Sequence, residues 1–283
     1  MYEEAGNSNL IMLLNTAIYP FLVAAVLTLL LGKVNTKLTT IGSAAGFFVG
    51  LFLIHTGLNL PPSKALDFLT VTLALGLLVS FIETTSLSDK AKMSVGVIAL
   101  VVSFYLLLNP VLRHQGQAIS IVCALAVAAI TAIVSGLQKL GASERYSHAP
   151  ALSLIVVAAV TAPVVSIGGS LLIGQLLGVF AASMGGLVLI QRFVWNTSST
   201  SAVTLGSFVL AGLLAQAHVL ADLPIWTMLV AYLALIVNIG LGWVMKEDGT
   251  VISTIKAIIP QVIVSAAIAG LSLWSVWPES SLY

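Results

Sequence analysis

The apolar residues of this chain fall into ten runs of about 20 residues, and that length leaves few folds open. The runs are 10–31, 38–58, 66–85, 93–112, 117–138, 150–167, 170–190, 201–220, 223–245 and 251–275. At about 1.5 Å per residue, a helix of this length crosses the roughly 30 Å hydrocarbon core of a bilayer. Hydrocarbon offers backbone amides no partner, so each run must satisfy its own N–H and C=O groups, as a helix does. The runs do not alternate apolar with polar residues, as the strands of a membrane barrel would. Only 7% of the 283 residues are charged, against about 25% in a soluble domain. The expected fold class is all-α: a polytopic transmembrane helix bundle of about ten spans.

The connections are short and carry turn-forming residues, at 59–62, 86–92, 113–117, 141–150, 196–200 and 246–249. Two of the runs, 150–167 and 170–190, are separated only by Ile167-Gly168-Gly169, and Pro163 interrupts the first. They are expected to form a tight hairpin, the alternative being a broken helix whose freed backbone lines a cavity. The chain opens Tyr2-Glu3-Glu4 rather than on basic residues, so the first run reads as a retained span and not a signal peptide. A net charge of +1 gives no basic surface for nucleic acid, and the lone Cys123 excludes an internal disulfide framework.

Lysine and arginine set the expected orientation. With the N-terminus outside, the inner side carries Lys33, Lys37, Lys90, Lys92, Lys139, Arg145, Arg192, Lys246 and Lys256, and the outer side only Lys64 and Arg113. Both termini are therefore predicted on the non-cytoplasmic side of a cell (inner) membrane. Trp195 and Trp243 fall near the inner face, and Trp226, Trp274 and Trp277 near the outer face, as aromatic belts do.

Two small-residue stripes stand out within the spans. Gly42, Gly46 and Gly50 are spaced four apart, as are Gly174, Gly178 and Ala182. Each set forms a ridge without bulky side chains on one helix face, where a second helix backbone can approach closely. The stripes also match one another. Ile41, Gly42, Gly46, Phe48 and Gly50 recur 132 positions later as Ile173, Gly174, Gly178, Phe180 and Ala182. Val71-Thr72-Leu73 recurs at the same offset as Val203-Thr204-Leu205, and residues 23–26 recur at 157–160. The matches are collinear and predict a duplication, with one five-helix repeat in residues 1–140 and a second in 141–283. Five spans per unit force the second unit to enter the membrane inverted. Pro20 and Pro163 are not at equivalent places, so the kinks are not duplicated.

Ten spans and a five-plus-five repeat resemble, in this coarse sense, secondary-transporter architectures such as the drug/metabolite transporters and the bile-acid and auxin-carrier-like folds. The resemblance rests on span count and symmetry alone and carries no residue assignments. The predicted outside termini depart from the drug/metabolite pattern.

Polar side chains deep in apolar spans are costly unless paired or used. The deepest are Asn15, Gln175, Asn238 and Gln261, the candidate contacts for a small polar solute; interhelical hydrogen bonding is the other use. Glu83 and Lys256, near the inner ends of the third and tenth spans, could pair or snorkel to the interface. His55, His114 and His218 map to the outer side near Asp222 without metal-ligand spacing, so no metal is expected. Phosphate-loop and H-E-x-x-H motifs are absent from the sequence, and no cofactor or enzymatic activity is expected. Two functions fit: a small-solute secondary transporter working by alternating access, or a non-catalytic subunit of a larger membrane complex. The partners implied are the lipid bilayer, a solute, and a second membrane protein or a second copy of the chain.

Overall fold

A computed structural model describes residues 9–141, 148–197, 200–244 and 251–277, with side chains excluded at 141, 238–244 and 251–257. The side chains of Asn238, Trp243 and Lys256, and residues Arg145 and Lys246, lie outside this description. All regular structure among the described residues is helical. In chain order the helices are α1 (Asn9–Val34), α2 (Thr40–Ile54), α3 (Leu69–Glu83), α4 (Asp89–Leu112) and α5 (Gln117–Gly141). There follow α6 (Ala149–Gly168), α7 (Leu171–Ile190), α8 (Thr200–Ala221), α9 (Ile225–Val244) and α10 (Val251–Val276). Eight are long and apolar enough to cross a membrane; α3, and the part of α9 described in full, Ile225–Val237, are shorter. The chain has the architecture of an integral membrane protein.

Local sequence explains the helix ends. Ser88 and Ser170 accept from the amides of Ala91 and Ile173, capping α4 and α7. Pro150 sits in the first turn of α6, where no backbone N–H is needed. The chain between α6 and α7 turns at Gly169 and Ser170, so this pair is a hairpin and α6 runs helical through Pro163.

The helices alternate in direction. On one face, the α6–α7 turn meets the α8–α9 turn and the end of α10: a methyl group on Gly168 would lie 2.6 Å from Leu223 and 3.0 Å from Val276. On the same face, Gln216 donates to the Ala65 carbonyl of the α2–α3 loop. On the opposite face, Gln191 donates to Thr39, Thr40 bonds Ser201, and Lys37 reaches the Thr84 carbonyl. We call these the even-loop and odd-loop faces. Of the described basic side chains, Lys33, Lys37, Lys90, Lys92, Lys139 and Arg192 lie toward the odd-loop face, and Lys64 and Arg113 toward the even-loop face.

The first glycine stripe is consumed by packing. A methyl group on Gly42 would sit 2.8 Å from the Ala24 carbonyl oxygen, and one on Gly46 2.5 Å from that of Pro20. Gly186 of α7 approaches the same stretch of α1, 2.6 Å from the Phe21 carbonyl by the same measure. Three helices thus meet backbone to backbone around Ala24. The second stripe behaves differently. Gly174 is closed against Ala162 and Ser166 of α6, but nothing lies within 4 Å of a methyl placed on Gly178, and Ala182 is only half-buried. Trp195, expected in the inner aromatic belt, covers Gly32.

The α2–α3 loop is ordered around Asp67, which is fully buried. Its carboxylate accepts from the amides of Lys64 and Ser63 at 2.9 and 3.1 Å, from that of Asn59, from the Ser63 hydroxyl and from His55. Burial alone would raise its pKa; the hydrogen bonds outweigh burial and hold it below the ordinary 3.8.

Candidate functional site

Between α4, α5, α8 and α9 lies a cavity of about 400 Å³. Its walls come from both halves of the chain: Leu112 of α4 and Cys123 and Ile130 of α5 on one side, Leu214 of α8 and Met228 and Tyr232 of α9 on the other. Its polar lining includes Gln115, His218 and Asp222, at the α4–α5 and α8–α9 turns of the even-loop face. Along α5 the wall runs from Ile119 to Ile130, a depth of about 16 Å, or half the hydrocarbon core.

Beneath this cavity the same helices close. Thr131 donates to the Val127 carbonyl at 2.7 Å, so the Tyr232 hydroxyl, 3.4 Å away, donates to Thr131 and lays a polar contact across the floor. In the next layer Val134 and Leu235 are buried and apolar. One turn further, Gln138 of α5 donates to Ser153 of α6 at 3.1 Å and toward the Leu235 carbonyl of α9 at 3.4 Å. At the odd-loop face, Glu83 ends α3 between two partners. Lys139 of α5 pairs with one carboxylate oxygen, and Thr204 of α8 donates to the other at 2.7 Å. Lys92 caps the Glu83 carbonyl at 3.1 Å. The partners found for Glu83 are therefore Lys139 and Thr204; Lys256 is not described.

The four amides singled out by sequence do not gather in this cavity. Gln261 is fully buried and donates to the Ala234 carbonyl and to Ser265, at 2.8 and 2.9 Å, tying α10 to α9. Asn15 lies in a π-helical turn, Leu14–Ile18, that packs against α7. Such turns widen the helix and recur at functional positions. Asn15 and Gln175 are both half-buried, on helices that do not line the cavity, and neither has a hydrogen-bond partner among the described residues. The fourth amide, Asn238, has no described side chain.

The three histidines expected on one side separate. His55 pairs with Asp67 at 3.1 Å, while His218 Nδ1 lies 2.6 Å from the Leu223 carbonyl. His114 lies on the α4–α5 turn. His148 is buried at the start of α6, and that burial, with the charge of Arg192 nearby, lowers its pKa to about 4.

Sequence reading missed Gln138, Thr131 and Thr204, the side chains that close the lower half of the bundle. Each is a polar residue inside an apolar run, the same signal that drew attention to Asn15. Nothing local separates them, because their partners on other helices are 15 to 121 residues away. The chain matches no protein-family model, and no curated protein is significantly similar to it in sequence.

Proposed function

We propose that this chain is a secondary carrier of a small solute, with the α4–α5–α8–α9 cavity as its binding site. One observation carries the reading: a cavity between the two halves has its polar lining at the turns of one face, and toward the other face the same helices are closed by side-chain bonds. Carriers built from repeats place their sites between the repeats and expose them to one side at a time. The five-plus-five inverted arrangement draws support from two glycine-packed pairs, α1–α2 and α6–α7, and from α2 meeting α7 and α3 meeting α8. The halves differ elsewhere, since α6 packs on α10 while α1 is occupied with α7. By the distribution of lysine and arginine, the odd-loop face is the cytoplasmic one and the cavity faces outward. Asn15 and Gln175 lie on helices outside this cavity, so the cavity reading assigns them no solute contact; the bonds of Gln261 give it a packing role.

A second reading, a non-catalytic membrane subunit, is favoured by the filled centre of the bundle, where α8 is buried along nearly its whole length. Thiol labelling separates the two. A membrane-impermeant reagent should modify Cys123 from the even-loop face. In a Cys123→Ala background, Val134→Cys should react from the odd-loop face in a fraction of molecules, and faster when Glu83→Ala removes the closure. Val134→Cys silent from both faces in either background, while Lys37→Cys labels normally, would leave the subunit reading standing.

A further inference from the structure

We infer that the cavity takes a lipophilic amine: an apolar body with a protonated, hydrogen-bond-donating head. The inference rests on the carrier site proposed above and names its ligand class. The body of the cavity is aliphatic, with Leu108, Val127, Ile130 and Leu214 among its walls, and only the Tyr232 hydroxyl at its floor. A strongly polar solute would exchange its water for surfaces that offer nothing back. The polar end lies at the even-loop turns; Gln115 there can donate or accept, and the charge is one-sided. Asp222 is the charged side chain of the wall. His218 Nδ1 faces a carbonyl oxygen at 2.6 Å, and a carbonyl can only accept, so Nδ1 carries the proton. In the neutral ring Nε2 is then an acceptor. A carboxylate and an imidazole nitrogen at one rim accept from a donor-rich cation and repel a carboxylate. Arg113 and His114 sit on the adjoining turn, outside the wall. About 400 Å³ suits a drug-sized molecule rather than a long lipid chain.

Cys123 in the wall is a native reporter. The whole chain, in phosphatidylcholine nanodiscs, would be treated with a thiol reagent in the presence of phenylbutylamine, phenylbutanol or phenylbutyrate, which share one skeleton. The amine should protect Cys123 at a concentration about five-fold below the alcohol, as expected for a solvent-accessible ion pair. Phenylbutyrate should protect least. Asp222→Asn should erase the preference for the amine. Asparagine tolerates the left-handed backbone at this position, where φ is +50°, so the fold should survive. Equal protection by amine and alcohol, or a preference unchanged in Asp222→Asn, would overturn the inference. Uptake into proteoliposomes separates it from the carrier reading. Amine protection without uptake keeps the ligand and removes the carrier; uptake of the alcohol with equal protection does the reverse.

Discussion

Gly46→Ala and Gly178→Ala are the same chemical change, four residues into matching stripes, yet the structure assigns them opposite outcomes. At Gly46 the new methyl would lie 2.5 Å from the Pro20 carbonyl oxygen, 2.9 Å from Ala24 Cβ and 3.1 Å from Ser183 Oγ. Two of these neighbours are backbone or Cβ atoms, which cannot swing aside. Relief requires α1 to move off α2, and α1 is also held against Gly186 of α7. Overpacking of this kind typically costs about 1–3 kcal/mol. Alanine's better helix propensity returns up to about 1 kcal/mol. At Gly178 nothing lies within 4 Å of the methyl, so only the propensity gain is left. The two variants should therefore differ by about 1–3 kcal/mol, which at about 2–4 °C per kcal/mol places their melting temperatures roughly 2–12 °C apart. Thermal unfolding in detergent, followed by tryptophan emission, measures it. Gly46→Ala melting at or above Gly178→Ala would refute the claim that the first stripe is a three-helix junction and the second is open at its centre.

Asp67→Ala leaves the amides of Ser63 and Lys64 without their acceptor and should cost about 2–4 kcal/mol, read as faster proteolysis in the α2–α3 loop. Because the folded pKa of Asp67 lies below its ordinary value, this loop should hold at pH 5 and loosen only as pH falls below about 4. His148 behaves differently. Its folded pKa of about 4 lies below the ordinary 6.5, so protonation favours the opened state. Stability at the odd-loop end of α6 should be intact above pH 6.5, fall as the pH drops toward 4, and level off below, a loss of about 1–3 kcal/mol that His148→Gln should flatten in pH-dependent melts. Gln261→Leu keeps the volume but loses the bond to Ala234 and should cost about 0.6 kcal/mol, measured by melting, with solute protection of Cys123 unchanged.

Much of this architecture was legible in residue type and spacing. The helix ends fall within a few residues of the apolar runs at most boundaries, because apolar length and backbone self-satisfaction are local properties. The charge difference between the faces was equally local. The reading of the polar residues travelled less well. Asn15, Gln138, Gln175, Thr204 and Gln261 look alike in sequence, and their roles diverge only when partners are assigned.

Sequence alone therefore determined that the chain is helical, apolar enough for a membrane, and supplied with small residues at helical spacing. Tertiary structure decided which glycines are covered, which polar groups bond to one another, and where the bundle stays open. The physical reason is that close approach and hydrogen-bond pairing depend on how helices distant in the chain are juxtaposed. Gly46 and Gly178 carry the same atoms, and only the position of α1 distinguishes a junction from an open surface.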